Sequence, residues 1–439
     1  MRGLVLFAGI LAALGIALPY PYVGVLLWSW FTLQQPHQDA YGFVQTAHLN
    51  LVIAIVTLGA WLLSRERKAP PGGAIFWLFV IFLAWMTFNS FYAVNPGWSW
   101  PYWHQTWKTF LLGSVIATMA SSRVRLYALI WIAVISLFYY GVKGGIFTIL
   151  TGGNFHVFGP PSTIIGDNNQ LAVALLMVLP LANYLRSQVA DKRIKHILLL
   201  GMILTVIAIV GTYSRGAMIG MGALMAITLL RARNRILYIS TIAVAALLIA
   251  NFMPAHFFDR MNTISTASQD ASFQERLYSW KVAFLYASDH FPFGAGFYGP
   301  QLGVVYQHYF PDRQPYAAHS IYFQVLGEHG FIGLGIYLMI IVAAVVRCTS
   351  IIRMTRGVPH YEWVHDLAVA IQSSLFVFCV AGAALSMAYY DLFIIDVAML
   401  LPLRQVALVE KTVRLANQRS ATARYGSLQY SSVGNRSGE

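Results

Sequence analysis

Charge is scarce in this sequence. Only 10 % of its 439 residues are Asp, Glu, Lys or Arg, where a soluble domain carries about 25 %. Cysteine is scarcer still, with Cys348 and Cys379 alone. The first lack excludes a water-soluble enzyme of this length, since a single soluble core stops growing near ~250–300 residues. The second excludes a disulfide scaffold. Short-motif chemistry is lacking too: there is no HExxH, no CxxC and no Walker loop. Between residues 253 and 328 the carboxylates are Asp259, Asp270, Glu275, Asp289, Asp312 and Glu328. No Asp-x-Asp pair occurs among them, so a hard-cation site is not indicated and no metal or cofactor is expected.

What is abundant is apolar sequence, at 58 % hydrophobic residues and a mean hydropathy of +0.62. It comes in continuous blocks rather than the alternating ten-residue segments of a membrane β-barrel. The expected fold is therefore all-α: a polytopic transmembrane helical protein with about 12 spans and one large loop containing helices. The spans are expected near 3–33, 43–63, 74–94, 104–120, 126–150, 169–185, 196–213, 215–230, 236–252, 329–346, 364–388 and 392–409. The first is broken by Pro19-Tyr20-Pro21 and reads as two short helices that together cross once. No cleavable signal peptide is apparent, so this span is expected to be retained.

The net charge of +13 is distributed in short runs between the blocks, such as Arg65, Arg67 and Lys68, or Arg231, Arg233 and Arg235. This is the positive-inside pattern and not a nucleic-acid footprint. It places both termini and the basic runs in the cytoplasm. The expected organisation is spans 1–9 over 1–252, a helical loop on the non-cytoplasmic side over 253–328, spans 10–12 over 329–409, and a basic cytoplasmic tail over 410–439.

The loop at 253–328 exceeds the ~12–15 residues beyond which loops are usually functional or disordered. Ser272 and Glu275 form a capping-box pattern. Phe273, Leu277, Trp280 and Phe284 follow on one helical face. A second helix is expected to start near Ala317-Ala318-His319.

Four residues stand out chemically. Arg215, in Gly-Thr-Tyr-Ser-Arg-Gly-Ala, sits between two apolar spans on the non-cytoplasmic side. It is either a headgroup anchor or a guanidinium fork for a phosphate. Arg276, four residues before Trp280, is either a solvated residue stacking on that ring or a second cation for the same anion. His319 shares its loop with His256, His290 and His308. Its alternatives are an ordinary surface histidine and a general base for a sugar or lipid hydroxyl. Glu328 could pair with an arginine or orient a base.

Taken in order, Thr212-Tyr-Ser-Arg215-Gly216, Glu275-Arg276-Leu-Tyr-Ser-Trp280, Asp289-His-Phe-Pro292-Phe-Gly-Ala-Gly296 and Ala318-His319-Ser-Ile-Tyr322, then Glu328-His-Gly330, resemble the O-antigen ligase family. Lys143-Gly-Gly and Gly166-Asp-Asn-Asn169 are similar to a subgroup of O-glycosylation ligases. The resemblance implies a metal-independent, inverting transfer at the periplasmic face of the bacterial inner membrane. The donor would be O-antigen linked to undecaprenyl pyrophosphate, and the acceptor lipid A-core. It implies Arg215 and Arg276 at the pyrophosphate and His319 as catalytic base, with Tyr322, Glu328, Lys143 and Asn168 as further substrate-binding residues. Membrane lipids would be the other partners, with no nucleic acid. An O-antigen polymerase or a protein O-oligosaccharyltransferase would use the same donor. A transporter of lipid-linked sugar is the non-enzymatic rival; it predicts charges at the midplane and inverted repeats.

Overall fold

The computed structural model describes residues 2–409, except 41, 67, 70–71, 233 and 263–270, together with residue 412. The expected basic tail therefore lies almost wholly outside the described residues. Among the described residues the chain is helical, without strands. The first half comprises α1 (Arg2–Ala17), α2 (Pro21–Gln34), α3 (Leu49–Leu63), α4 (Ala74–Phe91), α5 (Pro96–Met119), α6 (Arg123–Leu150), α7 (Asn168–Gln188) and α8 (Lys192–Gly211). The second comprises α9 (Arg215–Arg231), α10 (Arg235–Phe252), α11 (Ala255–Asn262), α12 (Ala271–Asp289), α13 (Gly303–Tyr309), α14 (Ile321–Thr355), α15 (Glu362–Gly382) and α16 (Asp391–Val409).

Each of the twelve apolar stretches holds a helix. Eight of these helices, α4, α6, α7, α8, α10, α14, α15 and α16, are long and apolar enough to cross a membrane. Two more apolar helices, α1 and α3, are shorter. This is a multi-pass membrane protein. Leucines, isoleucines and aromatics such as Leu63, Trp77, Leu150 and Ile236 face outward, as lipid contact allows.

α7 and α16 are the most enclosed helices, and α10 has no buried residue. Small residues set the closest helix contacts. A Cβ on Gly145 of α6 would lie 2.2 Å from the Leu204 carbonyl of α8. That approach of backbones needs glycine.

The basic runs gather at one end of the bundle. There the Arg125 guanidinium forks onto Glu66, with one bond of 2.9 Å. The pairing holds the Glu66 carboxyl below its ordinary range. Arg123 reaches Gln188 at 3.3 Å and lies over the Trp363 ring. These contacts join the α3–α4, α5–α6 and α7–α8 connections and the start of α15.

The first stretch departs from expectation. The Tyr22 hydroxyl, at the start of α2, donates to the Arg125 carbonyl at the basic end. The Gln34 carbonyl, at the other end of α2, accepts from Tyr140, further along α6. Phe7 of α1 meets Phe43 beyond that far end, ring to ring at 5.4 Å, and Arg2 lies within electrostatic reach of Tyr139. So α1 and α2 form an antiparallel hairpin turning at Leu18–Tyr20, not one crossing. The N-terminus lies at the end opposite the basic runs, where the charge rule had expected it beside them. The hairpin leaves the later charge pattern intact and moves only Arg2.

α12 starts at Ala271, so Ser272 lies within its first turn. Its buried stripe is Ser279, Val282, Ala283, Tyr286 and Ala287 rather than the expected aromatic face; Phe284 is half exposed. The reason is close packing on α14, where a Cβ on Gly327 would come within 3.0 Å of Ala283 Cβ.

α14 is broken at Gly330, whose φ is 69°. The carbonyls freed by the break are all used. Ala295 N–H donates to Gly327 O at 2.8 Å and Gly296 N–H to Glu328 O at 3.0 Å. Asn89 Nδ2 also donates to Glu328 O at 2.7 Å, and Trp85 Nε1 to His329 O at 2.8 Å. The 292–298 segment is thereby strapped beneath the break, satisfying backbone groups that would otherwise be stranded at membrane depth.

Candidate functional site

The end opposite the basic runs carries α11, α12 and α13, and the sequence-selected residues Arg215, Arg276 and His319 lie there. α9 begins at Arg215, capped by Ser214, whose hydroxyl accepts from Ala217 N–H at 3.2 Å. The preceding turn is held from three sides. Asn168 Nδ2 donates to the Thr212 carbonyl at 2.7 Å, and Arg260 Nε to the Tyr213 carbonyl at 3.1 Å. The Tyr213 hydroxyl donates to Gly153 O at 2.5 Å, so the 2.8 Å contact with His256 Nε2 runs from the imidazole to the phenol. Tyr213 has φ 59°, a left-handed conformation that few side chains adopt.

His319 is placed by a second clasp. Trp280 of α12 stacks on Phe323 and donates its indole N–H to Ala318 O at 2.6 Å. Ser279 Oγ donates to Tyr316 O at 3.3 Å. His319 N–H donates to Ser386 Oγ at 2.8 Å, in the turn between α15 and α16. Its φ of 43° is again left-handed. Arg276 stands one helical turn before Trp280, close enough to His319 to act on its charge. Burial and the Arg276 guanidinium lower the His319 imidazole pKa below its ordinary value; Asp167 and Glu275 pull the other way.

Shared neighbours join the two clasps. Asp167 faces His319 electrostatically and caps α7, beside Asn168, which holds the Arg215 turn. The same α15–α16 region receives both: a Cβ on Gly216 would touch Ala384 Cβ at 3.5 Å, and Ser386 holds His319. His156 belongs to the cationic surroundings. Its pKa is lowered by burial and then by Arg260 and His256. Arginines and imidazoles from five segments thus gather at one end, an arrangement suited to a multiply charged anion.

The remaining expected residues are placed differently. The Tyr322 hydroxyl donates to the Cys379 carbonyl at 3.0 Å, tying α14 to α15. Glu328 is buried, and its carboxylate accepts from the Tyr389 hydroxyl at 2.7 Å and from Tyr298 N–H at 3.2 Å. Neither partner is an arginine, one of the two alternatives for this carboxylate. Asn168 is buried and engaged with Thr212, and so shapes the Arg215 turn. Lys143 is exposed on α6, 5.7 Å from the Tyr139 ring centroid. Its neighbours Gly144 and Gly145 serve the contact with α8. Sequence reasoning missed Arg260 and Ser386. Asp167 and Trp280 stood in motifs, the Gly166-Asp-Asn-Asn169 segment and the stretch ending at Trp280, without the positioning roles they take here. Among the described residues, no three His, Cys, Asp or Glu side chains converge as metal ligands.

Residues 1–190 match the model of a family of unknown function, and Lys143 and Asn168 lie within that stretch. No curated protein matches the chain. Residues 200–338 match the O-antigen ligase family model. That stretch contains Arg215, Arg260, Arg276, His319, Tyr322 and Glu328, and over it the chain is similar to the O-antigen ligase family.

Proposed function

We propose that this protein transfers O-antigen from undecaprenyl pyrophosphate to lipid A-core at the periplasmic face of the bacterial inner membrane. The observation that carries this reading is the His319 imidazole kept below its ordinary pKa by burial and by Arg276, at the bundle end that also holds Arg215. A neutral imidazole beside guanidinium groups fits a displacement on a sugar pyrophosphate. The acceptor hydroxyl oxygen attacks the anomeric carbon from the face opposite the leaving group. The bond from that carbon to the pyrophosphate oxygen breaks, and its electron pair leaves with the carrier. The hydroxyl proton passes to His319. Arg215 and Arg276 bind the pyrophosphate and stabilise the charge that builds on it, the preorganised electrostatics that usually supplies the largest catalytic contribution. The step is metal-independent, and Arg260 adds a third positive charge nearby.

The test is transfer by the purified, reconstituted chain with defined lipid-linked donor and acceptor, in EDTA. Wild type is expected to transfer. His319→Ala and His319→Gln are expected to bind donor but to lose about 10²–10⁴-fold in rate, the usual contribution of a positioned base. Near-wild-type transfer by both variants would eliminate the base, and transfer only to glycan or protein acceptors would replace lipid A-core.

A further inference from the structure

A polar cavity of about 320 Å³ opens among α2, the 35–51 segment, α5 and the start of α16, with none of Arg215, Arg276 and His319 in its lining. Nothing in the transfer step above uses it. Its volume falls at the lower end of the ~300–1,000 Å³ typical of small-molecule sites. Its lining includes Thr32, His37, Asn50, Lys108, Thr109 and Asp391.

Three polar atoms on this lining are buried without a hydrogen-bond partner among the described residues: Thr32 Oγ1, His37 Nδ1 and Asn50 Oδ1. Leaving such atoms unmet costs about 1–3 kcal/mol each, so the cavity is built for something that meets them. Burial holds the His37 imidazole below its ordinary pKa, and its other nitrogen lies 3.2 Å from the Gln38 amide nitrogen. That amide donates to it, so His37 is neutral with its proton on Nδ1. The unmet set therefore contains a donor, His37 Nδ1–H, an acceptor, Asn50 Oδ1, and a hydroxyl, Thr32.

Charge narrows the ligand class. Lys108 and Asp391 both line the cavity, yet no ion pair within 4 Å joins them among the described residues. Asp391 Oδ1 accepts from the Thr109 hydroxyl at 2.6 Å. With Lys108 and the Asp391 carboxyl on one wall, the lining presents no single sign of charge to select a phosphate or a cation. A neutral ligand rich in hydroxyls suits both, since each hydroxyl both donates and accepts.

We propose that this cavity is a saccharide subsite, holding an uncharged sugar ring of one of the two glycan substrates through Thr32, His37, Asn50 and Asp391. The assignment rests on the transferase reading for its glycan source. The link to the arginine and histidine site is short: Asp391 follows directly on the turn whose Ser386 holds His319.

The test is calorimetric titration of the full chain in detergent. The probes are oligosaccharide released from its lipid-linked pool, oligosaccharide released from lipid A-core, sugar-free undecaprenyl pyrophosphate, and inorganic phosphate. One of the two oligosaccharides is expected to bind wild type, and which one identifies the source. Thr32→Val and Asn50→Leu are each expected to weaken that binding about tenfold, the equivalent of one hydrogen bond. The sugar-free carrier should bind both variants as it binds wild type. No oligosaccharide binding, equal binding by both variants, or phosphate binding that the variants abolish would overturn the subsite. Loss of transfer with every acceptor, while the variants still weaken oligosaccharide binding, would overturn the transferase reading and leave the subsite standing.

Discussion

His319 and Tyr213 share a backbone conformation that side chains avoid, with φ of 43° and 59°. Each such residue costs on the order of 1–3 kcal/mol and persists only where its surroundings impose it. Here the impositions are specific: Ser386 and Trp280 around His319, Gly153, His256 and Arg260 around Tyr213. The guanidiniums should be as exacting. Arg215→Lys and Arg276→Lys are each expected to lose at least tenfold in transfer, because an ammonium cannot present the planar fork. Wild-type rates in either would show that charge alone suffices. The pH profile is a separate check on the base. The ordinary imidazole value is 6.5 and that of His319 is lower. A base acts only when deprotonated, so transfer is expected to hold as pH falls to about 6.5 and to decline below it. Arg276→Gln removes one of the two lowering causes, so the acid limb of its residual activity should move to higher pH. An acid limb that stays put would mean that the guanidinium does not act on the imidazole. Of these residues His319, Arg215 and Arg276 were legible in the sequence as motif positions. Trp280 was visible as a motif residue on an apolar face but not as a clasp on Ala318, and Ser386, 67 residues from His319, carried no local pattern at all.

At the scale of elements, periodicity found the helices and misjudged their faces. On α12 the rule selected the large residues Phe273 and Phe284, whereas the buried stripe runs through Ser279 and Ala283. Helices that approach closely bury small side chains, and hydrophobicity alone does not register them. The break in α14 has a similar lesson. Gly330 stood in the sequence as part of a Glu-His-Gly motif, while its role is to let the 292–298 strap pass beneath. A Cβ there would lie 2.3 Å from Pro292 O and 2.8 Å from Phe293 O, in addition to the left-handed φ. Gly330→Ala is expected to cost about 2–4 kcal/mol and to lower the thermal midpoint in detergent. Gly335→Ala, five residues on with nothing within 4 Å of the added carbon, is the matched control and should melt like wild type. Equal midpoints for the two variants would refute the strap.

For the whole molecule, the charge rule expected the basic runs on one side, and they do gather at one end of the bundle. It had only Arg2 to weigh at the N-terminus, and one residue cannot tell a single crossing from a hairpin. The hairpin makes a prediction that the rule does not. In a chain lacking Cys348 and Cys379, Arg2→Cys and Asp312→Cys should react with an impermeant maleimide from the same side of the membrane, and Arg65→Cys from the other. Reaction of Arg2→Cys together with Arg65→Cys would restore a single crossing. The strap under the α14 break also bears on how such a chain is built. Asn89 takes its partners Gly294 and Glu328 from 205 and 239 residues further along. Chains emerge N-terminus first at about 5–20 residues per second, so for some tens of seconds α4 sits in the bilayer with that amide unmet. The bundle cannot close behind the ribosome helix by helix; it must hold a vacant seam beside α4 until the 292–298 strap and the start of α14 arrive together to fill it.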